Sequence, residues 1–184
     1  GFFGMVIEAG SPRIIWFSDP ESADVAKVGG KNASLGEMTQ KLQPVGIAVP
    51  AGFAISVAAY WEFVEANGLQ KRIAAALDEY KQGRQSLNEV GQTIRTAFVN
   101  GDLPPAVADA ITSAYRELSL KTRRTRLDVA VRSSATAEDL PGASFAGQLE
   151  SFLNIRGEQA LLQACRRCFA SLFTDRAIVY RETN

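Results

Sequence analysis

The sequence contains no histidine. An imidazole general base, a histidine metal ligand and a phosphorylated histidine are therefore all beyond what this chain can supply by itself. Cysteine is scarce: Cys165 and Cys168 are the only two. They cannot build a disulfide framework, and such scarcity fits a reducing cytoplasm. An excess of either charge is missing as well, because 20 basic side chains meet 20 acidic ones. A nucleic-acid partner is not expected, since phosphate-backbone affinity comes from a concentrated lysine and arginine surplus. Nor is there an apolar run of about eighteen residues, the length a membrane-spanning helix needs.

What is there reads as an ordinary globular chain, 46% hydrophobic and 22% charged. Its 184 residues suffice for one domain of normal size or two small lobes. The opening "GFFGMVIEAGSPR" is apolar but lacks a basic start and a small-residue cleavage site. Residues 1–12 are expected to be an unstructured leader, not a signal peptide. The one basic cluster, "KTRRTR" at Lys121–Arg126, falls between a helical and a strand pattern and reads as a solvated connection.

Periodicity predicts a helix-rich α+β fold with a small sheet. "RIIWF" at 13–17 reads as a strand, and "VGGKNASLGEMTQKL" as a glycine turn feeding a helix with Leu35, Met38 and Leu42 on one side. "GIAVPAGFAIS" is an extended connection and short strand, because Pro50 and Gly52 oppose helix. Four helical patterns follow. Ser56 caps the first, with Val57, Tyr60, Trp61 and Val64 facing inward and Asn67-Gly68 as its stop. Ile73, Leu77 and Tyr80 mark the second. Ser86 and Glu89 form a capping box for the third, whose stripe is Leu87, Val90, Ile94, Ala97 and Phe98. Pro104-Pro105 opens the fourth, carrying Val107, Ala110, Ile111, Ala114 and Leu118. Residues 128–132 and 149–155 then read as strands. Leu161, Leu162, Cys165, Cys168, Phe169 and Leu172 mark another helix, and Thr174 caps a last one reaching Tyr180.

Three places invite a chemical reading. "ACRRCF" has the C-x-x-C spacing, but a zinc site needs about four ligands and the chain offers neither a second pair nor a histidine. Both sulfurs fall on the apolar stripe, so buried core cysteines are expected. "GGKNAS" sets Lys31 at a helix start, where free N–H groups attract anions, although the Walker A spacing is missing and a plain turn has the same composition. The third is "VAVRSSATAEDLPGASFAGQLESFLNI", in which Arg132 ends one strand and residues 133–147 are mostly Ser, Ala, Thr and Gly. Small residues let backbone N–H groups approach phosphate oxygens, Ser133, Ser134, Thr136 and Ser144 add hydroxyls, and Arg132 offers a planar fork. Glu138 and Asp139 would face water or a partner domain, and Phe145 would anchor the far side. A phosphate loop and a structural surface loop both suit this composition.

"VGGKNASLGEM", "GIAVPAGFAIS", "VAVRSSATAEDLPGASFAGQ" and "CFASLFTDRAIVYR", in that order, resemble the N-terminal nucleotide-binding part of the phosphoenolpyruvate synthases. That family is related to pyruvate phosphate dikinase and to the rifampicin phosphotransferases. The resemblance covers roughly residues 13–184 and implies the first lobe of an ATP-grasp-like clamp. Carried over by motif, Lys31 corresponds to the lysine of the Gly-Gly-Lys turn, Arg132 to the arginine before Ser-Ser-Ala-Thr, and Gly147 to the glycine ending the loop. Ser151 falls where relatives often have threonine, and Leu149 replaces a usual second glutamine. The expected nucleotide-binding set is thus Lys31, Arg132, Ser133, Ser134, Thr136, Gly147 and Ser151, with no catalytic residue in the chain.

The family's reaction converts ATP, pyruvate and water to AMP, phosphoenolpyruvate and phosphate through a phosphohistidine on a mobile domain. The resemblance therefore implies ATP as ligand and Mg2+ as its companion. The magnesium-binding acids, the second lobe, the histidine and the pyruvate barrel are expected beyond residue 184, on the same polypeptide. Two alternatives stay open: the equivalent lobe of an antibiotic phosphotransferase, and a non-catalytic nucleotide-binding module.

Overall fold

The structure, a computed structural model, describes residues 12–20, 37, 40–41, 43–45, 51–125, 127–132 and 151–183. Within them the chain is α+β and helix-rich, with two separate two-stranded sheets where a single small sheet was expected. β1 (Ile14–Trp16) pairs antiparallel with β2 (Phe53–Ile55), setting Ile15 opposite Ala54 and Trp16 opposite Phe53. Gln40, in a helical stretch, donates its side-chain amide to the carbonyls of Phe17 at 3.3 Å and Ser18 at 2.9 Å. That ties the stretch to the end of β1. The stripe expected there, Leu35, Met38 and Leu42, lies outside the described residues.

Four helices follow: α1 (Val57–Ala66), α2 (Leu69–Lys81), α3 (Leu87–Val99) and α4 (Pro105–Lys121). Two of them, α1 and α3, start on the expected serine caps, and α4 on the expected proline. Ser56 Oγ accepts from the Ala59 N–H at 3.2 Å, and Ser86 Oγ accepts from the Glu89 N–H at 3.2 Å. The Glu89 carboxylate also accepts a hydrogen bond from the Ser86 hydroxyl at 3.1 Å, in place of the backbone bond of a full capping box. Asn67 does more than end α1. Its amide donates to the carbonyls of Phe63 and Asp102, and its oxygen accepts from the Asp102 N–H at 3.0 Å, lashing α1 to the α3–α4 connection.

The bundle closes with α5 (Glu158–Ala170), a 3₁₀ turn at Ser171–Phe173 and α6 (Asp175–Thr183). Thr174 caps α6 through the Ala177 N–H at 3.1 Å, as the sequence predicts. α3 sits centrally, packed on α2, α5 and α6. The larger core gathers Phe63, Val64, Leu69, Ile73, Val90, Ile94, Phe98, Phe173 and Ile178. Its centre is aromatic: Phe98 stacks on Phe173 with centroids 5.2 Å apart, and Phe63 meets Phe169 at 5.4 Å. The inward face of α1 differs from expectation. Ala59, Phe63 and Val64 are buried, while Tyr60 and Trp61 are only half-buried beside the same cluster. "VAAYWEFVEA" is apolar nearly all round, so its period did not single out one face.

A smaller core joins the helices to both sheets. Buried Ala59, Val107, Ile111, Tyr115, Leu161 and Cys165 carry Ile14 and Ile55 from one sheet and Val129, Val131 and Ile155 from the other. That second sheet is a hairpin: β3 (Val129–Arg132) runs antiparallel to β4 (Ser151–Ile155). Its ladder is irregular. Val129 faces Ile155 and Val131 faces Phe152, so β4 spends one more residue than β3 over the same span. The extra length is taken up at Asn154, whose φ of 59° is left-handed, the mark of a β-bulge.

The base of this hairpin, away from residues 133–150, is clamped. The buried Tyr115 of α4 donates its hydroxyl to the Leu127 carbonyl at 2.6 Å and accepts from the Gly157 N–H at 3.0 Å. One oxygen thus holds the residue leading into β3 and the residue leaving β4. Gly157, at φ 86°, starts α5 in a backbone geometry that favours glycine. Arg156 pairs with Asp128 at 3.5 Å across the same base, and Arg116 pairs with Glu158. The hydrogen bond from Arg116 holds the Glu158 carboxyl below the usual glutamate range.

Two stability predictions follow from this packing. Tyr115→Phe leaves the Leu127 carbonyl and the Gly157 N–H without their partner, and should cost ~1–3 kcal/mol in urea unfolding at unchanged m-value. Gly101→Ala would place a Cβ 2.7 Å from the Phe63 ring, which is fully buried and cannot swing aside. Overpacking there should cost ~1–3 kcal/mol by the same measurement, despite the general preference for alanine over glycine.

Candidate functional site

At the open end of the hairpin the ladder sets Arg132 directly opposite Ser151. Opposed residues of an antiparallel pair share a face, with Cβ atoms about 4.5–5.5 Å apart. Both residues are exposed, whereas their neighbours Val131 and Phe152 are half-buried on the other face. The two side chains therefore leave the same solvent-facing side of the hairpin, at the two ends of residues 133–150. Among the described residues no carboxylate pairs with Arg132. An arginine fork beside a serine hydroxyl can bind a phosphate group by charge-assisted hydrogen bonds, and a competing carboxylate would weaken it.

Of the expected nucleotide-binding residues, the structure brings these two together. Lys31, Ser133, Ser134, Thr136 and Gly147 lie outside the described residues. So do Glu138, Asp139, Ser144, Phe145 and Leu149. Among the described residues no three His, Cys, Asp or Glu side chains cluster so as to hold a metal ion.

The remaining sequence features resolve into structure. Cys165 and Cys168 are both buried and joined in no disulfide, as their place on the apolar stripe predicts. Burial pushes the Cys165 thiol far up, the neighbouring Cys168 adds to that, and Arg166 opposes it only weakly. Such a sulfur stays protonated and serves as packing. Lys121, Thr122, Arg123, Arg124 and Thr125 are all exposed, consistent with a solvated connection. Lys121 also places its ammonium 4.0 Å from the centroid of the Trp16 ring. No described helix is long and apolar enough to cross a membrane.

Two residues that shape the site were not singled out in the sequence. Tyr115 sits at i+8 from Val107 and i+4 from Ile111, so the stripe of α4 contained it. Its hydroxyl, the group that clamps the hairpin, has no signature in that pattern. Asn154 could have been suspected from parity: Phe152 and Ile155 are three apart, and a regular strand cannot bury both on one face.

Comparison with known proteins accounts for most of the chain. The family profile described as pyruvate phosphate dikinase, AMP/ATP-binding domain, matches residues 25–184. The chain is 44% identical over 179 residues to the phosphoenolpyruvate synthase of Aquifex aeolicus (strain VF5), covering 97% of the chain and 21% of that protein. It is 45% identical over 172 residues to the phosphoenolpyruvate synthase of Escherichia coli (strain K12), covering 93% and 22% respectively. For the phosphoenolpyruvate synthase of Pseudomonas aeruginosa (strain UCBPP-PA14) the identity is 50% over 159 residues, 86% of the chain and 20% of the relative. The chain thus spans about a fifth of the length of the curated relatives it matches. With the profile covering helices α1–α6 and the β3–β4 hairpin, the chain belongs to the pyruvate phosphate dikinase AMP/ATP-binding domain family.

Proposed function

We propose that this chain is the first lobe of an ATP-grasp-like nucleotide clamp in a cytoplasmic phosphoenolpyruvate synthase. The whole enzyme would convert ATP, pyruvate and water to AMP, phosphoenolpyruvate and phosphate, with the phosphorylated histidine carried elsewhere on the polypeptide. The observation that carries the site assignment is the solvent-facing Arg132, set opposite Ser151 with no carboxylate partner among the described residues. The names of the relatives favour the synthase over an antibiotic phosphotransferase.

In this reading Arg132 neutralises phosphoryl oxygens as charge develops on them, and the Ser151 hydroxyl donates a hydrogen bond beside it. Lys31 approaches from the Gly-Gly-Lys turn as a second cation. Ser133, Ser134 and Thr136 add hydroxyl donors, and Gly147 lets the backbone come close to the nucleotide. ATP supplies the phosphoryl group when bound. Mg2+, its expected companion, would take its acidic ligands from outside the described residues. One lobe covers one side of the ligand, so tight binding requires the second lobe to desolvate the other.

The decisive test is Arg132→Ala in the intact enzyme. AMP formation from ATP should fall by ~2–4 kcal/mol in transition-state stabilisation, read as kcat/KM for ATP. Arg132→Lys should recover only part of that loss, because an ammonium keeps the charge but not the bidentate fork. Rates of AMP formation in Arg132→Ala equal to wild type would refute the phosphate assignment.

A further inference from the structure

We propose that Asn154 is a positioning residue for Arg132, an inference that rests on the phosphate role assigned to Arg132 above. Were the hairpin ladder regular from Val129–Ile155 onward, Ala130 would face Asn154, Val131 would face Leu153, and Arg132 would face Phe152. Opposed residues share a face, so the guanidinium would be placed beside a phenyl ring that the hairpin half-buries. Either the charge would turn inward or the ring would turn out. The extra residue of β4 prevents this. It moves the pairing by one position, so that Val131 meets Phe152 on the core side and Arg132 meets Ser151 in solvent.

This shift depends on backbone geometry that few residues adopt. Asn154 sits at φ 59°, which asparagine tolerates, glycine adopts freely and a β-branched residue strongly resists. The side chain of Asn154 is exposed, so its value to the fold lies in this backbone conformation, not in buried contacts. Leu153, beside it, leaves 60% of its surface in water. The bulge thus holds an apolar residue out in solvent while keeping the arginine and serine aligned at the loop ends. Two residues of β4, neither of them opposite Arg132, set which face Arg132 presents.

The test compares variants of the intact enzyme by kcat/KM for ATP in AMP formation. Asn154→Gly keeps the left-handed backbone and should stay within about twofold of wild type, whereas Asn154→Val should lose about ten- to a hundredfold. Because Asn154 acts through Arg132, adding Asn154→Val to Arg132→Ala should lower the rate by less than about twofold beyond Arg132→Ala alone. A merely destabilising change would instead multiply the two losses. Deleting Leu153 makes the ladder regular while leaving Val131 opposite Phe152 and Arg132 opposite Ser151. In that background Asn154→Val should be tolerated within about threefold of wild type, which decides the matter even if Asn154→Val alone does not fold. Wild-type activity in Asn154→Val, multiplicative losses with Arg132→Ala, or inactivity of the deletion carrying Asn154→Val would each overturn the positioning role. An unimpaired Arg132→Ala would overturn the phosphate reading itself.

Discussion

A single phenolic oxygen ties the β3–β4 hairpin to the helical core. Tyr115 reaches from α4 to the carbonyl before β3 and the amide after β4, so both strands leave the helical core from one fixed point. Backbone groups in a partly buried setting need partners, and a hydroxyl that both donates and accepts can serve two of opposite kind. The ring is only 4% exposed and packs with Val107, Ile111 and Leu161, which gives the oxygen a rigid mount. The ion pairs Arg156–Asp128 and Arg116–Glu158 surround this point but are exposed, and pairs of that kind contribute little on their own. The clamp works through the tyrosine, and the charges finish its surface.

From that anchored base the hairpin changes character along its length. Val129, Ile155 and Val131 pack toward the small core, half-buried Phe152 lies opposite Val131, and Arg132 with Ser151 is the first opposed pair turned to solvent. The bulge makes this sequence of contacts possible, because without an extra residue the side-chain alternation of the two strands would fall out of step. The cost is an irregular ladder and an apolar Leu153 left in water. What it secures is a cation held by rigid structure beside a segment rich in small residues. Binding groups mounted on strands are more exactly placed than groups carried by the loop itself.

Much of this was legible in the sequence, and the reasons differ by element. The capping serines at 56 and 86 and the threonine at 174 announce helix starts by local chemistry that tertiary packing does not override. The stripe of α3 was readable because its opposite face is polar, while α1, apolar nearly all round, hid Phe63 from any count of period. Arg132 and Ser151 could be named from motif and resemblance. Their opposition could not, because it depends on a one-residue shift between strands separated by residues 133–150. The division of the strands into two sheets was likewise invisible, since pairing partners are a property of the folded chain and not of either strand.

The missing histidine gives the arrangement its logic. On the proposed reading, a chain that holds polyphosphate but has no histidine to take the phosphoryl group must leave one side of its ligand open to the acceptor. A site buried within the helical core would bind more tightly and be useless for that purpose. Placing Arg132 at the end of β3, in a hairpin clamped at its other end, would reconcile a fixed cation with an approachable ligand. The aromatic core of α1, α3 and α5 then has a different task from the site. It supplies the rigidity from which a short, two-stranded sheet, marginal by itself, can project a charge into solvent without losing its aim.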